Sequence, residues 1–403
     1  MRRNSFSMPA SSRGGKVFRN SSSARYNRKP QGRGAYINPE KFINKASLPE
    51  EVVPFVPKHR FTDFRLSDAL QRNVAAHGYI TPTPIQDVGI PPILEGRDFI
   101  GLANTGTGKT AAFILPIIER LQNHQGTAAL IIAPTRELAV QINEEFRAFA
   151  RGLGLYSALC VGGTNMRQQI MALQRRPQVV VGTPGRLKDL NQQKALRLQH
   201  TDILVLDEAD RMLDMGFITD IRFLVAQLPT KRQTLCFSAT ITPEIERLIH
   251  ALLTNPITES VRTSETSDHV EQDIIEAHTK EEKLEILSDL LKQPDFEKVL
   301  IFGQTKWGVQ RLADNLTKLG LPAQAIHGNK SQSQRQRSLQ AFKTNVARIL
   351  VATDVAARGL DIPNVSHVIN FDQPGTYEDY IHRIGRTGRA GQRGKALTFI
   401  NRR

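Results

Sequence analysis

A glycine-rich stretch at residues 101–110, Gly-Leu-Ala-Asn-Thr-Gly-Thr-Gly-Lys-Thr, has the residue types and spacing of a phosphate-binding loop. Its glycines let backbone N–H groups approach phosphate oxygens without a Cβ in the way, and the helix expected to follow adds positive potential at its N-terminus. Lys109 is expected to contact the β- and γ-phosphates of a nucleotide, and the Thr110 hydroxyl to bind Mg²⁺. The residues predicted to surround the nucleotide here are Ala103, Asn104, Thr105, Gly106, Thr107, Gly108, Lys109 and Thr110.

A second apolar run ends in acidic residues, in the sequence Ile-Leu-Val-Leu-Asp-Glu-Ala-Asp at 203–210. If this run is a parallel strand, its carboxylates lie at the carboxyl edge of the sheet, where sites of α/β proteins are found. Asp207 can hold Mg²⁺ through water, and Glu208 can orient and polarise an attacking water. Alone, such a strand end is as often a helix cap or a solvated edge. Together with the loop at 103–110, it predicts nucleotide hydrolysis.

The scaffold for these groups is predicted from short apolar runs that alternate with helical patterns. Strands are expected at 98–103, 128–133, 178–181, 203–206 and 234–238, with helices such as 110–123 and 137–150 between them. A second series of strands is expected at 299–302, 323–326, 349–352, 367–370 and 396–400. The alternation favours the α/β class, with two mostly parallel sheets flanked by helices. We expect domains at 61–253 and 273–403, joined by a polar linker at 254–272.

Charge is concentrated at the N-terminus. The 403 residues include 54 Lys and Arg against 39 Asp and Glu, a net charge of +15, and residues 1–60 hold 13 basic and 3 acidic residues. Residues 1–60 are also rich in Ser, Arg and Gly, which predicts a disordered basic tail. Nucleic acid is the natural partner of such a tail, although a solubilising segment or a mitochondrial transit peptide has a similar composition.

Composition also excludes several classes of protein. A hydrophobic content of 40% is too high for a chain that is disordered throughout. Two cysteines, Cys160 and Cys236, exclude a disulfide framework and a cysteine-rich zinc site. No apolar run reaches the roughly 20 residues of a membrane span, so no membrane partner is expected.

The sequence Asp207-Glu208-Ala209-Asp210 and its companions resemble the DEAD-box family of ATP-dependent RNA helicases, in superfamily 2. The companions follow the family's order over residues 61–391, most of the chain. They are Phe61, Gly78, Tyr79, Pro82, Thr83 and Gln86 as a Q motif, the segments 134–139, 162–163, 183–186, 238–240 and 300–306, Gln332 and Arg335 after His327-Gly328, and the segments 352–363 and 382–389. The resemblance implies two tandem RecA-like domains. Asn104 replaces the usual Gln, a mild departure.

The resemblance also implies roles around the nucleotide. Gln86 would recognise the adenine edge, because an amide offers both a donor and an acceptor. Phe61 and Tyr79 would lie near the base, with core packing as an equally good interpretation. Asp361 would meet the ribose or the arginine network. Arg386 and Arg389 would be arginine fingers that reach the γ-phosphate from the second domain, unless they bind RNA or surface carboxylates instead.

Further residues are assigned to RNA and to coupling between the domains. The predicted RNA contacts are Pro134, Thr135, Arg136, Gly163, Thr183, Gly185 and Arg186 in the first domain and Gln332, Arg335 and Thr353 in the second. These residue types suit phosphate and sugar, which predicts sequence-independent binding, although Thr and Gly also serve as helix caps and turns. The predicted coupling residues are Asp210, Ser238, Ala239, Thr240, His382 and Arg383.

The function implied is RNA-stimulated ATP hydrolysis, with ATP and Mg²⁺, coupled to local and non-processive unwinding of RNA duplexes or remodelling of RNA–protein complexes. Two alternatives stay open: an ATP-gated RNA clamp without significant unwinding, and a DNA translocase. A cytoplasmic monomer is expected. The sequence ends just past the last expected strand, where relatives usually add a helix, so the second domain is expected to lack that helix or to belong to a fragment.

Overall fold

The computed structural model describes residues 39–44, 55–104, 106–123, 128–261, 270–357, 362, 365–388 and 394–401. Three predicted site residues, Thr105, Asp361 and Arg389, lie outside the described residues, as do residues 1–38 and 45–54 of the predicted tail at 1–60. Two parallel sheets, both within the compact unit Ile37–Arg403, organise the rest. We call residues 61–261 the first lobe and residues 270–401 the second lobe.

The first lobe has a seven-stranded sheet in the order β3-β4-β2-β5-β6-β1-β7, with every neighbouring pair parallel. Its strands are β1 (Phe99–Leu102), β2 (Ala129–Ile132), β3 (Ser157–Cys160), β4 (Val179–Gly182), β5 (Ile203–Leu206), β6 (Gln233–Ser238) and β7 (Ile257–Ser260). Its helices are α1 (Asp68–Ala76), α2 (Pro84–Leu94), α3 (Lys109–Asn123), α4 (Arg136–Phe149), α5 (Met166–Gln174), α6 (Pro184–Gln192), α7 (Ala209–Asp214), α8 (Ile218–Val225) and α9 (Pro243–Leu252).

The second lobe has a six-stranded parallel sheet in the order β10-β11-β9-β12-β13-β8. Its strands are β8 (Val270–Ala277), β9 (Val299–Phe302), β10 (Ala323–Ile326), β11 (Ile349–Ala352), β12 (His367–Asn370) and β13 (Gly394–Asn401). Its helices are α10 (Lys280–Leu291), α11 (Lys306–Lys318), α12 (Gln332–Lys343), α13 (Asp354–Ala357) and α14 (Tyr377–Ile384). Two α/β domains with mostly parallel sheets are therefore confirmed.

The central strands are short apolar segments because both of their faces are covered. Every residue of β1, β2, β5 and β6 is buried, and so is every residue of β9, β11 and β12. In the register of the first sheet, Ile132 lies opposite Leu206 and Leu206 lies opposite Cys236. The loops that follow these strands consequently emerge at one edge of the sheet.

The linker interpretation of 254–272 was too broad. Ile257–Ser260 pairs with β1 as the outer strand of the first sheet, and Val270–Ala277 pairs with β13 as the edge of the second. Both strands were missed because edge strands are partly exposed and alternate with polar residues, as in the sequence Ile-Thr-Glu-Ser. Strand β3, which has two half-buried positions, was missed for the same reason.

Two segments assigned by composition to the disordered tail are structured. Residues 39–44 lie on the second lobe, through a 3₁₀ turn at Pro39–Phe42 and an antiparallel bridge from Asn44 to Gln272. At the start of the first lobe, the backbone N–H groups of Lys58 and His59 donate to the buried Asp87 carboxylate at 2.9 and 3.0 Å. Among the described residues, none of the helices is long and apolar enough to cross a membrane.

Candidate active site

The glycine-rich loop joins β1 to α3, as the sequence predicts. Lys109 is the first residue of α3 and is 6% exposed, and its Nζ donates to the Ala103 carbonyl oxygen at 3.0 Å. Thr107 Oγ1 donates to the Asn104 carbonyl at 2.8 Å, which holds the loop curled. Gly108 has φ +88°, and a Cβ there would lie 2.5 Å from Gln86 Nε2. Only glycine therefore permits this close approach.

The two carboxylates of the acidic strand end lie at the same edge. Asp207 is 2% exposed and Glu208 is 3% exposed. Within the described part of the chain, no hydrogen bond reaches Asp207 Oδ1 or either carboxylate oxygen of Glu208. Glu208 has φ 54° and ψ 54°, a left-handed conformation that costs a non-glycine residue roughly 1–3 kcal/mol. Buried, unsatisfied and strained carboxylates indicate a site that is completed by a ligand.

Electrostatics sets the two acidic residues apart from ordinary surface carboxylates. Burial raises the pKa of Asp207 to about 6, and the neighbouring Glu208 and Asp210 act in the same direction, whereas the Lys109 ammonium opposes the shift. Glu208 Oε2 forms an ion pair with Arg211 Nη1 at 3.4 Å, and Arg211 is itself buried. The sequence reasoning did not single out Arg211, although it follows Asp210 directly.

A hard divalent cation suits this donor set. Mg²⁺ prefers oxygen ligands and is usually held by one or two carboxylates together with substrate phosphates. Asp207 Oδ1 is buried without an internal partner, and Thr110 lies in the first turn of α3. No group of three or more His, Cys, Asp or Glu side chains that could hold a metal occurs among the described residues. The donors present therefore fit a cation shared with a phosphate ligand.

The side chain of Gln86 supports the loop. Gln86 lies on α2, where its Oε1 accepts from Thr83 N at 2.9 Å and its Nε2 donates to the Gly108 carbonyl at 3.0 Å. These contacts tie the expected adenine-binding residue to the phosphate loop. The second hydrogen of the Gln86 amide takes part in neither of these two bonds.

The aromatic residues expected near the base lie in the core. Phe61 is 6% exposed and packs edge-on against Phe64 and Tyr79, with 5.8 Å between ring centroids in each pair. Tyr79 packs edge-on against Phe149 at 5.3 Å, and its hydroxyl donates to Glu145 at 3.0 Å. The structure thus favours the core-packing interpretation of both residues.

Asp210 joins the acidic strand end to the end of β6. Its Oδ2 accepts hydrogen bonds from the backbone N–H groups of Ala239 and Thr240, both at 3.0 Å, and from Thr240 Oγ1 at 3.3 Å. Ser238 Oγ accepts from Asp210 N at 3.3 Å and donates to the Thr240 carbonyl at 2.7 Å. The four first-lobe residues predicted to couple the two functions are therefore in direct contact.

Arginines gather at the next strand ends of the first lobe. The Arg136 guanidinium packs on the Gly162-Gly163 turn so closely that a Cβ at Gly163 would lie within van der Waals overlap of it. Arg186 Nη1 donates to the Thr164 carbonyl oxygen at 3.4 Å. Burial lowers the pKa of Arg136, and the positive charges of Arg335 and Arg186 add to the effect. This concentration of positive charge suits a polyanion.

The remaining first-lobe residues predicted to contact RNA occupy helix starts. Thr135 is the N-cap of α4, and its Oγ1 accepts from Leu138 N at 3.3 Å, so the capping interpretation applies to it. Thr183 precedes α6 without a side-chain capping bond, and Pro184 and Gly185 form the first turn of that helix. Pro134 directly precedes the Thr135 cap.

Two residues predicted to contact RNA in the second lobe contact the first lobe in the structure. Arg335 Nη2 forms an ion pair with Glu137 Oε2 at 2.8 Å, and Gln332 Nε2 donates to Glu137 Oε1 at 3.2 Å. Glu137 is 2% exposed, and the other two residues are also buried. Glu137 was missed because neither its spacing nor its type indicates which distant cation it meets. The two lobes are therefore joined by a buried charged contact.

The predicted coupling residue Arg383 is bonded within the second lobe. Its guanidinium donates to both Asp354 oxygens at 2.5 and 2.8 Å, to Asn370 Oδ1 at 3.1 Å and to the Asp372 carbonyl at 2.7 Å. Arg386, two residues after the end of α14, is 3% exposed. His382, Arg383 and Arg386 border one small cavity with Asp354, and Thr353 is buried at the end of β11.

The chain matches the DEAD/DEAH box helicase family over residues 83–248 and the helicase conserved C-terminal domain over residues 282–391. It is 46% identical over 343 residues to the ATP-dependent RNA helicase CshA of Limosilactobacillus reuteri, covering 85% of this chain and 69% of that protein. The chain thus spans about two thirds of the length of the curated relatives it matches.

Solved structures show the same architecture. Dbp5 of S. cerevisiae bound to RNA and ADP BeF3 is 31% identical and superposes with a TM-score of 0.75, over 85% of this chain and 90% of Dbp5. A DEAD box protein from Methanococcus jannaschii is more similar in sequence, at 38% identity over 86% of this chain and 94% of its own, but superposes with a TM-score of only 0.51. From the family matches, the relatives and the shared architecture, the chain belongs to the DEAD-box family of ATP-dependent RNA helicases in superfamily 2.

Proposed function

We propose that this protein hydrolyses ATP in response to RNA and uses the cycle to separate short RNA duplexes or remodel RNA–protein complexes locally. The observation that carries the proposal is the pair of buried carboxylates, Asp207 and Glu208, close to Lys109: within the described part of the chain, Asp207 Oδ1 and both Glu208 carboxylate oxygens accept no hydrogen bond. Buried polar groups are almost always hydrogen-bonded, so unsatisfied carboxylates beside a phosphate-binding loop favour a bound ligand. A triphosphate bound with Mg²⁺ would bring the cation that Asp207 can hold, and solvent would provide the water that Glu208 orients.

Each residue of the first lobe has a distinct role in this mechanism. Lys109 binds the β- and γ-phosphates, and the loop N–H groups from Gly106 to Thr110 surround them. Thr110 and Asp207 hold Mg²⁺, which neutralises charge on the phosphate oxygens when bound. Glu208 orients the attacking water and accepts its proton. Gln86, which lies on α2 and donates to the Gly108 carbonyl, recognises adenine.

The second lobe completes the nucleotide site, and both lobes contact RNA. Arg386 and Arg389 stabilise charge on the transferring phosphoryl group, which in other phosphoryl-transfer enzymes is worth about 10³–10⁵ in rate. Arg136, Arg186, Gly163, Gly185 and Thr353 contact the RNA backbone without reading sequence. The bonds of Asp210 to Ala239 and Thr240 carry the state of the phosphate site towards the RNA-binding loops. That the protein is a monomer and lies in the cytoplasm stays a prediction.

Phosphate release tests the reaction, measured with single-stranded RNA, with single-stranded DNA of the same sequence and without nucleic acid. We expect RNA to stimulate the rate at least tenfold and DNA to have little effect, since the 2′-hydroxyl distinguishes the two polymers. Equal stimulation by DNA would identify a DNA translocase, and no stimulation by either would contradict the proposal.

Displacement of a labelled strand from a short RNA duplex tests the coupling. If unwinding is local, we expect the displaced fraction to depend on ATP and to decrease as the duplex is made longer. RNA-stimulated hydrolysis without displacement would instead favour the clamp.

A further inference from the structure

Residues 39–44, which we call the N-terminal strap, precede the first lobe in the sequence but lie on the second. The strap pairs with β8, the edge strand of the second sheet. Asn44 N donates to the Gln272 carbonyl at 3.1 Å, and Gln272 N donates to the Asn44 carbonyl at 2.9 Å. The strap thus covers part of a sheet edge that would otherwise present unpaired backbone groups.

Phe42 anchors the strap. It is 1% exposed, and its ring lies 4.7 Å from the ring of Tyr380, with an angle of 57° between the ring planes. The apolar cluster around these two rings also contains Val270, Ile384, Ala396 and Ile400. A side chain from one end of the chain therefore fills the space between the edge of the second sheet and helix α14.

The strap reaches α14 by a second, polar route. Gln272, the backbone partner of Asn44, accepts a hydrogen bond from the Tyr380 hydroxyl on its Oε1 at 2.8 Å. Tyr380 is fully buried, and burial raises the pKa of its phenol, so the hydroxyl stays protonated and donates. Phe42 packs on the ring of Tyr380 while Gln272 binds its hydroxyl.

Helix α14 directly precedes Arg386, which we assign to catalysis. Arg383 fixes the helix through its bonds to Asp354, Asn370 and Asp372. Tyr380, one turn earlier, is held by the strap. Arg386 follows the helix end by two residues, so its direction depends on both attachments.

We propose that the N-terminal strap is a positioning element for the arginine finger, with Phe42 acting through Tyr380 and α14 on Arg386. This inference rests on the proposed function, because it assigns Arg386 to the transferring phosphate. A displacement of about 1 Å in a group that stabilises a transition state can cost up to about 100-fold in rate. Substrate binding, which the first lobe dominates, should change much less.

The first test compares Phe42→Ala with Phe42→Leu in the full chain, using kcat and KM for RNA-stimulated phosphate release. We expect Phe42→Ala to lower kcat about tenfold with KM for ATP within about twofold of the wild type, and Phe42→Leu to restore most of kcat. The matched control is Phe55→Ala, since Phe55 is 47% exposed and lies outside this cluster. An unchanged kcat in Phe42→Ala would overturn the proposal. A wild-type chain without RNA-stimulated hydrolysis would instead refute the proposed function.

A double-mutant cycle separates positioning from loss of folding. If Phe42 acts through Arg386, adding Phe42→Ala to Arg386→Ala should lower kcat no further. Additive losses would contradict the assigned route. Should Phe42→Ala fail to fold, as judged by its thermal transition, Asn44→Pro replaces it, because it removes the N–H bonded to Gln272 and leaves Phe42 in place. Asn44→Pro should lower kcat in the same direction by a smaller factor, and a wild-type kcat would overturn the proposal.

Discussion

The two lobes share a fold, but a buried charged residue near the site in one lobe is bonded differently from a buried charged residue in the other. In the first lobe, Glu208 is buried in a strained conformation, and among the described residues it has an ion pair with Arg211 at 3.4 Å but no hydrogen bond to either carboxylate oxygen. In the second, the equally buried Arg383 makes four hydrogen bonds to protein acceptors. A buried charge without hydrogen bonds lowers the stability of the fold and is available to a ligand. A buried charge that is fully hydrogen-bonded stabilises the fold. The comparison therefore distinguishes groups that act on substrate from groups that position them.

Arg383→Ala should give the largest effect on stability. The change leaves Asp354, Asn370 and the Asp372 carbonyl without their shared donor, which costs about 3–5 kcal/mol for a buried charged network. Denaturant unfolding of the full chain should show the transition of the second lobe at a lower midpoint. Arg311→Ala, on the exposed face of α11, is the matched control and should leave the midpoint unchanged. A stable Arg383→Ala protein would remove the basis of the comparison.

Arg335→Ala should have an intermediate effect, on communication between the lobes. Glu137 would lose its ion pair and keep only the hydrogen bond from Gln332. We expect the cooperativity between RNA and a non-hydrolysable ATP analogue to fall by about 1–3 kcal/mol, measured as the ratio of RNA Kd values with and without the analogue. The exposed Arg337 on the same helix provides the control substitution, Arg337→Ala. An undiminished ratio would show that the contact joins the lobes without coupling them.

The smallest expected effect is on acid stability, through His367. Burial lowers the pKa of His367 to about 4, while its ring stacks on Phe296 at 3.9 Å. Between pH of about 6.5 and 4 the unfolded chain therefore binds more protons than the folded one, so stability falls as the pH falls. His367→Phe should make the unfolding free energy less dependent on pH in this window. The same dependence in both proteins would exclude His367 as its source.

The chemistry-bearing segments could be predicted from sequence because their constraints are local. The loop at 103–110 combines glycine spacing with a strand before it and a helix after it, and the acidic residues at 207–210 end an apolar strand. The strand order was not needed to predict that these two segments lie at the same edge, because parallel strands all end at one edge of the sheet.

The rest depends on contacts between distant parts of the chain. Arg335 has the chemistry of a phosphate ligand, and only the folded chain shows that it meets Glu137. Phe42 lies within a segment whose composition indicates disorder, yet a cluster formed by residues after position 269 buries it. The outer strand β7 gave a weak signal because two of its four residues are exposed and the other two are only half-buried.

The most direct test of the active site is phosphate release by Glu208→Gln in the presence of saturating ATP and RNA. The substitution keeps the size of the side chain and removes the base, so we expect kcat to fall by about 10²–10⁴. Glu246→Gln, an exposed glutamate on α9, should behave as the wild type. Hydrolysis by Glu208→Gln at the wild-type rate would contradict the account.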